Sequence, residues 1–320
     1  MLGKTPFLVV ITAGLLFFLC SCRGKEYFVR KTPISWIGEY PDSSFIGDVK
    51  CLQIDNGRLF LLDINRRSVI SLSLVFSDFK TISIGGRGPG ELIAPYSFFV
   101  DGDSVHVVDF GPREVKSYNK GIISKKTPFA NQVRDCRFVK SEGIFYLPYK
   151  SDDISVVRMI PGKELFPLLG TENFSSPVKT ATMNSCNILA YGDLLVVVPE
   201  ALPYVKIVDK SGEVLKTIEL GQSYSYNKNY SYSHNTDLLE KTCIILNHDA
   251  CIFGNTLFVL VPKYGENYEC NRIITVDLAT GIISEKIMVL EGINYTSICV
   301  SGSRLYAFNK GENQLEVYEL

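Results

Sequence analysis

Cys51-Leu52-Gln53-Ile54-Asp55-Asn56-Gly57-Arg58-Leu59-Phe60-Leu61-Leu62-Asp63 is the stretch on which the fold turns. It reads as an apolar strand, a polar Asp-Asn-Gly turn and a second apolar strand, which is the chemistry of a tight β-hairpin. The same frame recurs without a gap from Ser97, Cys136, Cys186, Asp249 and Ser297. Its fourth column holds Ile54, Val100, Val139, Leu189, Ile252 and Val300, and its ninth holds Leu59, Val105, Ile144, Leu194, Leu257 and Leu305. Both columns are wholly aliphatic. The tenth is Phe60, His106, Phe145, Leu195, Phe258 and Tyr306. Successive starts lie 46, 39, 50, 63 and 48 residues apart, close to the ~40–50 residues of a four-stranded propeller blade.

Each hairpin is followed by a third alternating strand: Ser68 to Leu72, Glu114 to Tyr118, Ile154 to Arg158, Val205 to Asp209, Ile273 to Asp277 and Leu315 to Glu319. A fourth follows in the first five repeats, clearest at Thr81 to Ile84, Val214 to Leu220 and Ile282 to Val289. The sixth repeat has none before the sequence stops at Leu320. The Val-, Ile-, Trp- and aromatic-rich segment from Tyr27 to Glu39 is therefore expected to complete it, sealing the ring and covering a free edge. The predicted fold is all-β: one domain over 27–320, a six-bladed β-propeller of four-stranded antiparallel blades closed by the N-terminal strand. No long 3.6-residue apolar stripe supports an α/β alternative.

One junction carries a family resemblance. Gly85-Gly86-Arg87-Gly88-Pro89-Gly90-Glu91, then Pro95, then Val105-His106-Val107-Val108-Asp109 resembles the blade junction of NHL-like and TolB-like six-bladed propeller lipoproteins of the Bacteroidetes type. The likeness is strongest in the first two repeats and fades to periodicity in the other four. It implies a fold and a compartment and no activity, since such propellers share none.

The N-terminus points the same way. Lys4 precedes an apolar run from Phe7 to Leu19, which has signal-peptide length and is too short to cross a bilayer. Leu19-Cys20-Ser21-Cys22 resembles a bacterial lipobox, which implies removal of residues 1–21, lipidation of Cys22 and a short tether over 22–26. The expected location is the cell envelope, lipid-anchored at the outer membrane, with the membrane as a partner through Cys22. Seven further cysteines, at 51, 136, 186, 243, 251, 270 and 299, are an odd number without close C-x-x-C spacing. They read as small buried hydrophobes, not as a metal site. With 33 Lys plus Arg against 34 Asp plus Glu and no single-sign run, nucleic acid is a poor partner.

The innermost strand of each repeat starts at the central channel on the face that also carries the loops between second and third strands, the usual ligand face in propellers resembling this one. The residues just before the repeats, Lys50, Tyr96, Asp135, Ser185, His248 and Thr296, form a polar or amphipathic ring there, with Arg137, Asn187 and Asp249 slightly further in. Arg113 is a candidate from the loops, beside Arg66, Arg67, Lys150, Asp152, Asp153 and the stretch from Lys263 to Glu269. Such mixed charge suits a polar or anionic ligand, a glycan, a peptide or an envelope protein. The 63-residue spacing leaves a Tyr-rich loop over 222–247, whose Tyr224, Tyr226, Tyr230 and Tyr232 have the composition of adaptable binding surfaces, with Asp237 to Leu246 as a candidate short helix. Binding without catalysis is the first expectation. The alternative is an envelope hydrolase or lyase using His248 with Asp135. The glycine run lacks the Lys-Ser/Thr of a phosphate loop and reads as a turn. No metal or other cofactor is expected.

Overall fold

The computed structural model describes residues 26–223, 226, 245–264 and 268–320. The expected signal segment, Cys22 and the expected tether up to Lys25, with Tyr224, Tyr230, Tyr232 and most of the segment from Asp237 to Leu246, lie outside them. Six sheets stand around one axis. Blade I is Val49–Asp55, Arg58–Asp63, Ser68–Ser73 and Phe79–Ser83. Blade II is Pro95–Asp101, Ser104–Asp109, Glu114–Asn119 and Ile122–Pro128. Blade III is Val139–Ser141, Ile144–Pro148, Ile154–Met159 and Leu165–Gly170. Blade IV is Cys186–Tyr191, Leu194–Pro199, Tyr204–Val208 and Val214–Glu219. Blade V is Asp249–Phe253, Thr256–Lys263, Glu269–Asp277 and Lys286–Leu290. Blade VI is Tyr295–Ser301, Arg304–Asn309 and Gln314–Glu319, completed by Ser35–Ile37.

Closure by the N-terminal segment is as the sequence predicts, with one addition. Ser35–Ile37 pairs antiparallel with the last strand of the chain, Ser35 opposite Val317 and Ile37 opposite Leu315. The residues before it form a separate strand, Tyr27–Lys31, parallel to Lys286–Leu290, giving blade V a fifth strand. Pro33 lies between the two strands, where its missing N–H and the restricted backbone before it favour a break.

Alternation along each strand puts one set of side chains against the preceding blade and the other against the following one. The core is consequently six interfaces, not one centre. Leu61, Ile70, Phe308 and Val317 join blades I and VI. Leu62, Val69, Val107 and Tyr118 join I and II. Equivalent clusters join II to III, III to IV, IV to V and V to VI. The aliphatic ninth column contributes to these interfaces, with Leu59, Val105, Leu257 and Leu305 essentially fully buried. Cys51, Cys136, Cys186, Cys251, Cys270 and Cys299 are buried and unpaired, as expected of cysteines used as small apolar side chains; Cys243 is outside the described residues.

Acidic residues ending the second strands tie down the connections between blades. Asp63 accepts hydrogen bonds from the Gly47 and Arg66 amides and from the Tyr40 hydroxyl. Asp109 accepts from the Ile93 and Ala94 amides and from Lys116 Nζ at 2.7 Å. The glycine run folds around a carboxylate of its own, since Glu91 Oε2 accepts from the Gly88 amide at 2.5 Å. A Cβ on Gly86 would lie 1.9 Å from that oxygen. The run is a junction between blades with its concavity already filled, which leaves no room for a phosphate.

A helix, Pro177–Met183, interrupts the all-β pattern, capped by Ser176 and started by Pro177. Its Ala181 and Met183 are buried, and Met183 packs with Leu202, in the loop between the second and third strands of blade IV, and with Tyr204 at the start of the third.

Candidate functional site: a polar cup above a buried arginine

The starts of the inner strands bring Lys50, Tyr96, Asp135, Arg137, Asn187, His248 and Asp249 together around one cavity of about 310 Å³. Five of the six polar-ring residues line it; Ser185 does not, being buried where its carbonyl accepts the Glu200 amide. Arg113 is not among the lining residues. It sits exposed at a positive-φ turn of blade II, and its carbonyl accepts the Phe129 amide.

The floor of the cup is an ion pair. Arg137 leaves blade III and crosses the channel, its Nε donating to Asp249 Oδ1 at 2.5 Å and its Nη2 to Asp249 Oδ2 at 2.6 Å. Nη1 donates to the Leu52 carbonyl of blade I at 2.7 Å, and Nη2 also reaches Ser297 Oγ and the Ile298 carbonyl of blade VI. Asp249 Oδ2 in turn accepts from Ser297 Oγ and the Ile298 amide, both at 2.8 Å. One guanidinium therefore links four blades and blocks the channel. The sequence places the inner strand of blade III from Cys136, but the regular strand begins at Val139. The backbone of Arg137 is diverted sideways, its amide donating to Asn187 Oδ1 and its carbonyl accepting the Ile188 amide of blade IV.

Above this floor the wall is mixed in charge. Lys50 Nζ lies 3.8 Å from Asp135, and Lys310 Nζ lies 2.8 Å from Asp48. Burial alone would lower the Lys50 pKa, but Asp135 and the other acids around it leave it raised. Glu200, at the end of the second strand of blade IV, faces the same space. Burial first, and then the charge of Asp135, push its carboxyl above the ordinary value, with Lys50 only partly offsetting them. His248 is held neutral: burial lowers its pKa, Lys50 and Lys310 add to that, and Asp249 opposes. Two polar atoms in the cup are buried without a partner among the described residues, His248 Nδ1 and Ser97 Oγ.

Neighbouring backbone fixes these side chains. The Asn247 side chain donates to the Pro199 carbonyl at 2.5 Å, the Leu246 and Asn247 amides donate to the Glu200 carbonyl, and the His248 amide pairs with the Leu260 carbonyl. The segment entering blade V is thus stapled to the blade IV loop that carries Glu200. Of the Tyr-rich loop, Tyr226 is fully buried, its ring in the core between blades IV and V and its hydroxyl donating to the Leu202 carbonyl. Tyr226 belongs to that core and is not among the residues lining the cup.

Glu200, Asp48, Lys310 and Ser97 line the cup in addition to the residues that the repeat frame points to. Glu200 had a legible signal, an acid directly following the unbroken apolar run Leu194–Pro199 on the face already assigned to the site. Asp48 and Lys310 were legible only as loop charges.

No protein-family model and no curated relative matches the sequence. Solved structures resemble the fold. A member of the DUF4221 family from Bacteroides vulgatus superposes with a TM-score of 0.60 at 12% identity, covering 90% of this chain and 97% of that one. A candidate exported protein of Bacteroides fragilis gives 0.58 at 16% identity over 88% of each chain. Virginiamycin B lyase from Staphylococcus aureus gives 0.52 at 10% identity, covering 89% and 98%. At these identities the similarity is one of architecture.

Proposed function

We propose that the chain is an exported propeller, lipid-anchored at the outer membrane through Cys22, that binds a small polar ligand in the cup without transforming it. The carrying observation is a pair of buried polar atoms without partners among the described residues, His248 Nδ1 and Ser97 Oγ, which share one cavity with the Glu200 carboxyl above the Arg137 floor. Buried polar atoms of this kind acquire their hydrogen bonds from a ligand or from ordered water. Arg137, the strongest cation in the cup, is already committed to Asp249. What is left favours a ligand presenting donors, hydroxyl or ammonium groups, to Glu200, such as a sugar or a short peptide.

The test is calorimetry against monosaccharides, amino sugars and dipeptides with Glu200→Gln, His248→Ala and Ser97→Ala. Each should weaken binding by about 10- to 100-fold; equal affinity in all three would place the ligand elsewhere. Radiolabelled palmitate incorporation that is lost in Cys22→Ser tests the anchor, and protease shaving of intact cells tests exposure.

A second reading has one observation in its favour. A carboxyl shifted up and an imidazole shifted down in one cavity are the opposed shifts that let one group serve as acid and the other as base, as a hydrolase or lyase would need. Here Glu200 fits the acid role better than Asp135, which is engaged with Lys50. Turnover of any glycan, ester or peptide that falls ~10²-fold or more in both His248→Ala and Glu200→Gln would replace the binding role by a catalytic one.

A further inference from the structure

The Arg137–Asp249 pair has two sides. Opposite the polar cup lies a second cavity of about 160 Å³, and Arg137 lines both. Its wall is the fourth column of the repeat: Ile54, Val139, Leu189, Ile252 and Val300, with Phe99 of blade II beside them. The position that reads as core in the sequence thus forms an apolar collar at the other mouth of the channel, and Ile54, Phe99, Leu189 and Ile252 there are only partly covered.

The polar side chains of this mouth are already satisfied. Gln53 spans to blade II, its Nε2 donating to the Val100 carbonyl and its Oε1 accepting the Val100 amide. Arg137 is held by Asp249, Ser297 and two carbonyls. A charged or sugar-like ligand would find no free side-chain partner there, only main-chain groups of the inner strands, whereas an apolar one would cover the partly exposed side chains of Ile54, Phe99, Leu189 and Ile252. Phe99 and the buried Phe138, their rings tilted with centroids 6.3 Å apart, form one side, and the partly exposed Phe99 can add an edge-to-face contact. A dry cavity of roughly 150 Å³ accepts benzene, so the size fits one aromatic ring.

We infer that this mouth is a second binding site, separate from the polar cup, for a compact apolar group about the size of one aromatic ring. The two sites lie back to back across the Arg137 floor. The apolar site does not depend on what the cup binds.

Indole and benzene are the probes, titrated into the full chain and followed by ligand-observed NMR and by chemical shifts of the protein. Saturable binding is expected, weakened about tenfold or more by filling the mouth with Ile252→Trp and unchanged by Glu200→Gln and His248→Ala. Leu189→Phe, a milder filling on another blade, should weaken it too, and circular dichroism on each variant separates lost binding from lost fold. The inference is overturned if neither probe saturates, if binding survives both filling variants in folded protein, or if it is lost in the polar-cup variants instead.

Discussion

Arg137 and Asp249 face each other across the propeller channel in a two-point grip, 2.5 and 2.6 Å, although 112 residues separate them in the chain. The pair is nearly buried, with side-chain exposures of 10% and 6%. Each partner's desolvation is offset chiefly by the other and by the hydrogen bonds from blades I and VI, so the pair is costly to break though of little net benefit as a unit.

Arg137→Ala should therefore destabilise the fold by about 3–5 kcal/mol, because it leaves the Asp249 carboxylate buried and uncompensated. The double variant Arg137→Met with Asp249→Leu should recover much of that loss. Arg137→Lys should behave like a partial deletion, since an ammonium cannot make the parallel pair. Urea unfolding midpoints of the three variants check this.

The ring seal makes unequal demands on the two N-terminal strands. Deleting Tyr27–Lys31 leaves blade V its own fourth strand, and the melting temperature should fall by only a few degrees. Deleting through Ile37 uncovers the edge at Leu315 to Val317 and opens the ring between blades VI and I. That truncation should cost several kcal/mol more, at ~2–4 °C per kcal/mol, and should aggregate through the exposed edge. Calorimetry with light scattering distinguishes the two deletions.

His106 is a buried imidazole set between Ser117 Oγ at 2.8 Å and Lys140 Nζ at 3.1 Å. The Lys140 ammonium can only donate, so Nε2 accepts and Nδ1 donates to Ser117. Burial, with Lys140 adding to it, lowers its pKa to about 4. The folded state then binds fewer protons than the unfolded chain between about pH 4 and 6.5, so stability rises with pH across that window and is lost below it. His248, shifted the same way, contributes with the same sign. In His106→Phe, which matches Phe60, Phe145 and Phe258 of the same column, the pH slope of denaturant midpoints should become shallower.

Glu200 has the opposite sign. Its pKa is raised in the folded protein, so folding favours the protonated form, and stability falls as pH climbs from about 4.5 through the folded value. Glu200→Gln should thus gain stability over the parent at neutral pH and match it in acid, while losing ligand. A variant less stable than the parent at pH 7 would show that the carboxylate has a structural partner.

Repetition made most of the architecture legible. Blade number, strand order and ring closure follow from a hairpin frame recurring six times, because local alternation and turn chemistry act at short range and repeat in every blade. The polar ring was legible for the same reason, since a fixed register fixes which residue sits at the channel. The helix Pro177–Met183 escaped because it is one short excursion without a period.

The tertiary structure alone decided what those ring residues do. Sequence could place Arg137 and Asp249 near the same mouth, but not that they neutralise each other and close the channel, for that depends on side-chain reach across the axis and on Asn187 turning the blade III backbone aside. It could show an aliphatic fourth column, but not that the column lines a second mouth, because a strand pattern specifies a buried face without saying what lies opposite. Local periodicity is written in consecutive residues. Cancellation of charge and the shape of a cavity arise only when six separated segments meet.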